Sequence, residues 1–396
     1  MDSPYLRVHT VIVDNLTQRY PSIDTRFILE KLLLYDVIDE EDYYRIRSAG
    51  EGWPGAEALF IECLARKNSR MQWRVFNVFR KLMLFRLAEV LAAELLKMEL
   101  APGLSVLPID IAQCNELNPQ YVQTLPDDVG VNQYFDTLGD SKGLALVINN
   151  YAYQRHPNRL GSIFDFVDMC NVLHHLRFRV YGRVDRTRDQ MTEDIIQFSQ
   201  LFTDRLGDPA CRNCIVVVMC HGCAGQLFGV DGKSLNLDAF FKVIIENSAL
   251  ANKAKIFIVQ ACRGGSFNRG VSLRRRLGVS NSFGAWVTNR LRSMVHRLEI
   301  RRPTSIDQLT PFGADVCIMH SSIPNYVSWR ESNGSWLIQA IYEEFSTCAY
   351  EPWADLLTLF TRVVRKVSTR VQGRSFYQMP CYQPTLTKKF HFFPGL

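Results

Sequence analysis

The sequence predicts an all-α bundle followed by an α/β domain on a largely parallel sheet, the two joined by a proline-rich connection. Up to about Met98, apolar residues recur at three- and four-residue spacing with no alternating stretch, the pattern of helices that bury one face. From Ala101 to about Ser141 that pattern fails among Pro102, Gly103, Pro108, Pro119, Pro126 and the pair Asp127, Asp128. Beyond it, short apolar runs alternate with longer helical patterns, as they do when helices cover both faces of a parallel sheet. A chain of 396 residues, 47% hydrophobic and 22% charged, is long enough to give each unit a core.

In order along the chain, Phe27, Leu29, Leu32, Leu33 and Val37, then Ala58, Leu59, Ile61 and Leu64, then Val75, Val78, Phe79, Leu82 and Leu87 mark apolar helix faces. Asp24 and Asp39 are placed to cap helices, and Gly50 to Gly55, with Trp53 and Pro54, make a break, so residues 1–98 read as five or six short helices. Residues 99–141 read as a linker. Strands are expected at Leu144–Ile148, Phe178–Val184, Ile215–Met219, Ile256–Val259 and Val316–Met319, with helices at Ile163–Leu176, Met191–Leu206 and Leu237–Ile245 between them. A second break, about Ser266 to Pro311, divides the α/β domain into segments 142–265 and 312–396. After it, Trp336–Cys348 and Trp353–Val371 read as helices and Thr387–Phe393 as a last strand.

The net charge of +6 is confined to the second break: nine arginines stand against Glu299 between Ser266 and Ile306, a balance of +8, and the rest of the chain sums to −2. No basic stripe interleaved with aromatics accompanies them, so neither a nucleic-acid surface nor a membrane partner is expected. No apolar run reaches the roughly 18 residues of a membrane span, and no secretion signal is visible. Eleven cysteines without a secretory route point to reduced thiols and a cytoplasmic location. Cys211, Cys214, Cys220 and Cys223 pair as C-x2-C twice, but an intervening strand of about six steps at roughly 3.3 Å would hold the pairs apart, so no metal or cofactor is expected.

Two strands run into residues that thiol chemistry needs. Ile215–Met219 leads to Cys220, His221 and Gly222, and the strand at Ile256–Val259 leads to Gln260, Ala261, Cys262, Arg263 and Gly264. Neighbouring parallel strands would bring the imidazole of His221 and the thiol of Cys262 to one edge, where sites form in such sheets. A thiol is little ionised near neutral pH, so a base is required to make the thiolate that attacks a carbonyl. The oxyanion that forms needs donors, which the backbone N–H groups of Gly222 and Cys262 could supply.

QACRG at 260–264 resembles the caspase signature, in which a histidine stands about 50 residues upstream; here the separation is 41. The resemblance extends in order through GLALVINN at 143–150, Arg159–Gly161, FGVDG at 228–232, Ala314–Ser322, Val327–Arg330, Gly334–Trp336, Gln378–Cys381 and Leu386–Phe393, and so spans 143–396. It implies a caspase-like, mostly parallel six-stranded sheet and a cysteine endopeptidase that cuts after aspartate, with Cys262 as nucleophile and His221 as base. It also implies that Arg159, Arg330 and Gln260 bind the acidic side chain; guanidinium forks suit a carboxylate. Three positions depart from the family. Cys220 replaces the usual serine of the acid pocket, which predicts some tolerance of glutamate. Val327 replaces an aromatic and leaves a roomier subsite beside Trp329, and Asn325 replaces a glycine with no obvious consequence.

The stretches Ile28–Ile46, Ala58–Leu64, Val75–Leu82 and Leu87–Leu91 resemble a caspase-recruitment domain, a six-helix death-fold bundle. This implies an apical, or initiator, caspase gathered on an adaptor platform bearing the same kind of bundle, as in an apoptosome, homodimeric when active and acting on caspase zymogens and on itself. Segment 266–311 is where such chains are cut into two subunits; Asp307 and Glu299 are candidate sites there, and Asp110 is one that would release the bundle. The rival expectations are a catalytically silent recruitment scaffold, an inflammatory rather than an apoptotic caspase, and a nucleic-acid contact through the arginine loop.

Overall fold

The computed structural model describes residues 3–20, 23–49, 53–115, 135–137, 139–269, 313–347, 349, 351, 354–373 and 376–392. Asp307, Glu299 and nearly all of the 266–311 segment lie outside them. The first unit is six helices: α1 (Leu6–Arg19), α2 (Thr25–Leu34), α3 (Glu40–Ser48), α4 (Trp53–Ala65), α5 (Ser69–Lys81) and α6 (Phe85–Glu99). The carboxylates of Asp24 and Asp39 accept from the N–H groups of Arg26 and Asp42, and Asn68 caps α5 through the Met71 N–H. Each cap contributes about 1 kcal/mol. The break at Gly50–Gly55 is shorter than its composition predicts, because α4 begins at Trp53. Pro54 falls in the first turn, where a backbone N–H has no intrahelical partner to lose. Phe60, Trp73, Phe76, Phe79 and Leu91 of these helices are buried.

The connection is more ordered than its prolines predict. Val106 bridges Tyr181, the Leu107 N–H donates to the Val180 carbonyl at 2.8 Å, and a short helix α7 (Ile109–Ala112) follows. Leu107 and Ile111 are buried against the second domain, and their burial holds down a segment that proline counting reads as free.

The second domain runs β1 (Gly143–Asn149), α8 (Ser162–His175), β2 (Phe178–Val184), α9 (Arg188–Asp204), β3 (Cys214–Met219), β4 (Gly222–Cys223), β5 (Gln226–Phe228), β6 (Ser234–Asn236), α10 (Leu237–Ile245) and β7 (Lys255–Gln260). After the undescribed segment come β8 (Val316–His320), β9 (Arg330–Glu331), β10 (Gly334–Ser335), α11 (Trp336–Thr347), α12 (Leu356–Ser368) and β11 (Cys381–Pro384). The main sheet has six strands in the order β11-β8-β7-β3-β1-β2, all parallel except the antiparallel edge strand β11. The last strand is therefore Cys381–Pro384 and not Thr387–Phe393. The aromatic Phe390 and Phe392 are buried as an irregular segment against Phe345 and Phe178, which explains their apolar spacing without a ladder.

Successive strand residues serve opposite faces. Ala145, Val147, Ile215, Val217, Ile256 and Ile258 join one core, with α8, α11 and α12, while Leu144, Leu146, Ile148, Val216, Val218 and Phe257 join the other, with α9 and α10. That double burial is why these strands read as continuous apolar runs. The first core is continuous with that of the helical bundle, through Phe76 and Phe164.

Candidate active site

The register of the sheet decides the placement that strand reading left conditional. β3 and β7 pair in parallel with Met219 opposite Gln260, so His221 and Cys262 each stand two residues beyond a matched pair, at the carboxyl edge. The Cys220 N–H donates to the Gln260 carbonyl at 3.2 Å, which carries the pairing one step further. Gly222 is required by close approach: a Cβ there would stand 2.8 Å from the Gln226 carbonyl and 3.0 Å from that of Cys262. Gly264 is required likewise, since its Cβ would lie 2.4 Å from the Asn325 backbone. The Cys262 N–H has no acceptor among the described residues.

His221 is oriented by three contacts. Its backbone N–H donates to the Tyr153 hydroxyl at 2.9 Å, the Tyr153 ring lies 4.6 Å from the imidazole, and Nε2 meets the Pro157 carbonyl at 2.9 Å. A carbonyl only accepts, so Nε2 carries the proton and Nδ1 is left as the basic nitrogen. Burial, with the charges of Arg159 and Arg330 adding to it, pushes the imidazole pKa down to about 4. Cys262 is held more loosely, its Sγ 3.4 Å from the Ser328 N and 4.0 Å from the Ser328 carbonyl.

Beside this pair lies a cationic pocket. Arg159 is 1% exposed, and its Nη1 donates to Asn149 Oδ1 at 3.1 Å and to the Asn150 carbonyl at 3.0 Å. Its Nη2 and the Oε1 of Gln260 are buried without a partner. Arg330, on β9, donates through Nε to the Leu160 carbonyl at 2.8 Å. Burial, with repulsion from Arg159 next, lowers its pKa to about 10. Asp165, which feels the charges of both guanidiniums, accepts from the Ser335 N–H and hydroxyl at 2.7 and 2.5 Å; burial raises its pKa to about 6 despite them. A buried guanidinium with an unpartnered nitrogen, beside a second whose charge burial and repulsion disfavour, is a setting that suits one small anion. The Cys220 thiol is buried next to Arg159, and burial pushes its pKa up to about 11, so it serves as a neutral wall.

Val327 and Trp329 lie on the stretch leading into β9, with the Val327 N–H on the Ser266 carbonyl at 3.0 Å. Trp329 is walled by Phe267 and Phe376, with ring centroids at 5.7 and 6.0 Å. Its backbone N–H donates to Gln378 Oε1 at 2.6 Å, and Gln378 in turn donates to the Ser321 carbonyl at 2.7 Å. Asn325 has φ = 73°, the left-handed region that glycine favours and that asparagine tolerates best of the other residues. The departure without obvious consequence thus keeps the backbone the family glycine allows.

Tyr153, Asp165, Phe267, Phe376 and Gln378 were missed by sequence reasoning. Gln378 lies in a stretch that resembles the family, but nothing local distinguishes the other four from ordinary core or loop residues. Asp110 stands apart from the site, half-buried in α7 beside a cavity of about 520 Å³ that Arg70, Arg74 and Tyr342 also line. Cys211 and Cys214 lie at the start of β3 and Cys220 and Cys223 beyond its end, and no cluster of metal-ligating side chains occurs among the described residues.

A family model described as caspase domain matches residues 142–391. Cell death protein 3 of Caenorhabditis remanei is 31% identical over 64% of this chain and 50% of its own length. Caspase-2 of Gallus gallus is 27% identical over 66% of this chain and 61% of its own. The chain thus spans between half and two thirds of the length of these two relatives. The crystal structure of caspase-1 from Spodoptera frugiperda shares the fold, with a TM-score of 0.53 at 23% identity over 69% of this chain and 97% of that one. The six helices from Leu6 to Glu99 fit a recruitment-type bundle. Since the caspase-domain model takes in all six strands of the main sheet and reaches into both segments that flank the basic break, the chain belongs to the caspase family.

Proposed function

We propose that this chain is a cysteine endopeptidase that cuts peptide bonds after aspartate and, less readily, after glutamate. The observation that carries the reading is the buried Arg159 with its unpartnered Nη2, set against an Arg330 whose charge burial disfavours. An acidic side chain entering there satisfies both, and Gln260 takes part through its amide. The scissile carbonyl then lies over Cys262. His221 Nδ1 takes the thiol proton, the thiolate adds to the carbonyl carbon, and the N–H groups of Cys262 and Gly222 stabilise the oxyanion. Collapse expels the amine, which receives its proton from His221 and leaves a thioester. Water, deprotonated by the same imidazole, adds to the thioester and releases the acid and the thiol. Peptides differing only in Asp, Asn or Glu at the cleaved position test this: Asp should be favoured over Asn by about a hundredfold or more, as for a site that leaves buried donors unpaired. Equal turnover of Asp and Asn would refute it.

In the wider reading the chain is an initiator caspase of programmed cell death, active as a homodimer in the cytoplasm on itself and on other caspase zymogens. Support comes from the bundle and from cell death protein 3 among the relatives. The outer faces of α2 and α3 expose Leu34 and Tyr44 beside Glu40 and Glu41, a surface open to an adaptor bundle. The outer edge of β11 is open to a second copy. Asp307, Glu299 and Asp110 remain the proposed processing sites. Replacing Asp307 and Glu299 together should leave the protease as one chain on denaturing gels.

A further inference from the structure

The bundle packs on the α/β domain through α5 and α6, and that contact ends at the acid pocket. Arg80 on α5 makes a two-pronged pair with Asp168 on α8 at 2.6 and 2.7 Å, and its guanidinium lies 5.2 Å over the Phe164 ring. Phe76 stacks on the same ring at 5.7 Å and Phe85 meets it edge-on at 5.9 Å. One turn along α6 from Phe85, Glu89 is only 3% exposed. One carboxylate oxygen accepts from Arg86 Nη1 at 2.7 Å, and the other accepts from the backbone N–H of Gly161. Arg86 also reaches the Tyr151 hydroxyl at 3.3 Å.

Gly161 closes the turn on which the acid pocket hangs. Arg159 lies two residues before it, and the intervening Leu160 carbonyl is the acceptor for Arg330 Nε. On its far side the turn is tied by the Arg159 N–H to the Tyr151 carbonyl at 2.9 Å. Gly161 adopts φ = 84°, and a Cβ there would stand 2.3 Å from the Glu331 carbonyl, so the turn is pressed against β9 with no room to advance. The bundle adds a second tie, from the Gly161 N–H to the Glu89 carboxylate. A carboxylate buried this far is stable only when paired and hydrogen-bonded, and here the pairing comes from its own helix and the hydrogen bond from the other domain.

We propose that Glu89 is a positioning residue for substrate: through it the helical bundle holds the 159–161 turn so that Arg159 and Arg330 both face the incoming acidic side chain. The bundle is then a structural part of the specificity site as well as a recruiting module. The inference rests on the acid-pocket reading above.

The test uses the full chain, with peptides carrying Asp or Asn at the cleaved position. Glu89→Ala should raise KM for the Asp peptide about tenfold while kcat stays within about twofold, as expected when one charge-assisted hydrogen bond that orders the binding site is lost. Glu89→Gln keeps an oxygen for the Gly161 N–H and should recover most of that loss, and hydrogen exchange at the Gly161 amide should quicken in the Ala variant only. An Ala variant that melts with the parent and keeps its KM overturns the proposal, as does a fall in kcat at constant KM shared by both variants. Should Glu89→Ala fail to fold, Arg86→Met decides, because it leaves the carboxylate in place without its cation: a raised KM supports the proposal and an unchanged one overturns it. A parent enzyme indifferent to Asp against Asn defeats the acid-pocket reading itself, and Glu89 with it; discrimination in the parent with no response at Glu89 defeats this inference alone.

Discussion

Arg159 and Cys262 border the same cleft, yet their surroundings differ in kind. Arg159 is buried, its guanidinium makes two hydrogen bonds at 3.1 Å or less, and its charge acts on a carboxyl group that is itself held by Ser335. Cys262 is half-buried, and among the described residues its sulfur meets the Ser328 backbone at 3.4 and 4.0 Å. On the proposed reading, the acid wall is assembled before substrate arrives, whereas the thiol wall is completed by what binds. Selectivity should therefore appear in KM, and chemistry in kcat.

The largest expected effect separates the two walls outright. Cys262→Ala should lower kcat by at least about ten-thousandfold, the scale seen when a nucleophile is removed, while an Asp peptide still binds by fluorescence anisotropy. If binding disappears with the thiol, the acid wall is not independently formed. Next, Arg159→Lys should raise KM for Asp peptides by about a hundredfold with little change in kcat, since a lysine keeps the charge but not the fork. A kcat effect of equal size would show that the arginine works on chemistry.

The pH profile sharpens the comparison. His221 has its pKa pushed down to about 4, first by burial and then by Arg159 and Arg330. The imidazole is neutral above that value, so the acidic limb of kcat/KM, which reports free enzyme, should fall well below the usual histidine range. A bound substrate carboxylate offsets both guanidiniums, so the limb of kcat should lie at higher pH than that of kcat/KM. Coincident limbs would mean that the arginines do not act on the base. The same shift has a stability consequence: the unfolded chain takes up a proton near pH 6.5 that the folded one resists, so stability from this group is complete above about 6.5 and is lost as pH falls through 4. The smallest effect belongs to Cys220. Cys220→Ser restores a hydroxyl donor and should raise the preference for Asp over Glu by a few-fold, measured as a ratio of kcat/KM values; no change would leave the thiol without a part in selectivity.

The elements that sequence reading located well are those whose information is local. The apolar runs of β1, β3 and β7 are buried on both faces, and the pattern needs no partner to be read. QACRG and the His-Gly pair at 221–222 also carry their meaning in adjacent residues. What escaped was set by distant contacts. Residues 99–141 read as a linker because their prolines are visible and the surface that Leu107 and Ile111 cover is not. Thr387–Phe393 was read as a strand because aromatics buried in an irregular tail have the same spacing as a ladder strand. Asp165 lies in α8, and nothing near it in sequence reveals that the charges of Arg159 and Arg330 act on it.

By itself the sequence determined the alternation of strands and helices, the thiol and imidazole at strand ends, and the family to which that order belongs, because periodicity and motif are properties of neighbouring residues. The tertiary structure alone decided that Met219 stands opposite Gln260, that Arg159 keeps one unsatisfied nitrogen, and that a glutamate of the helical bundle reaches Gly161. Those facts depend on which desolvated groups find partners when remote segments pack, and in a buried site an unpaired donor or charge weighs more than any local preference.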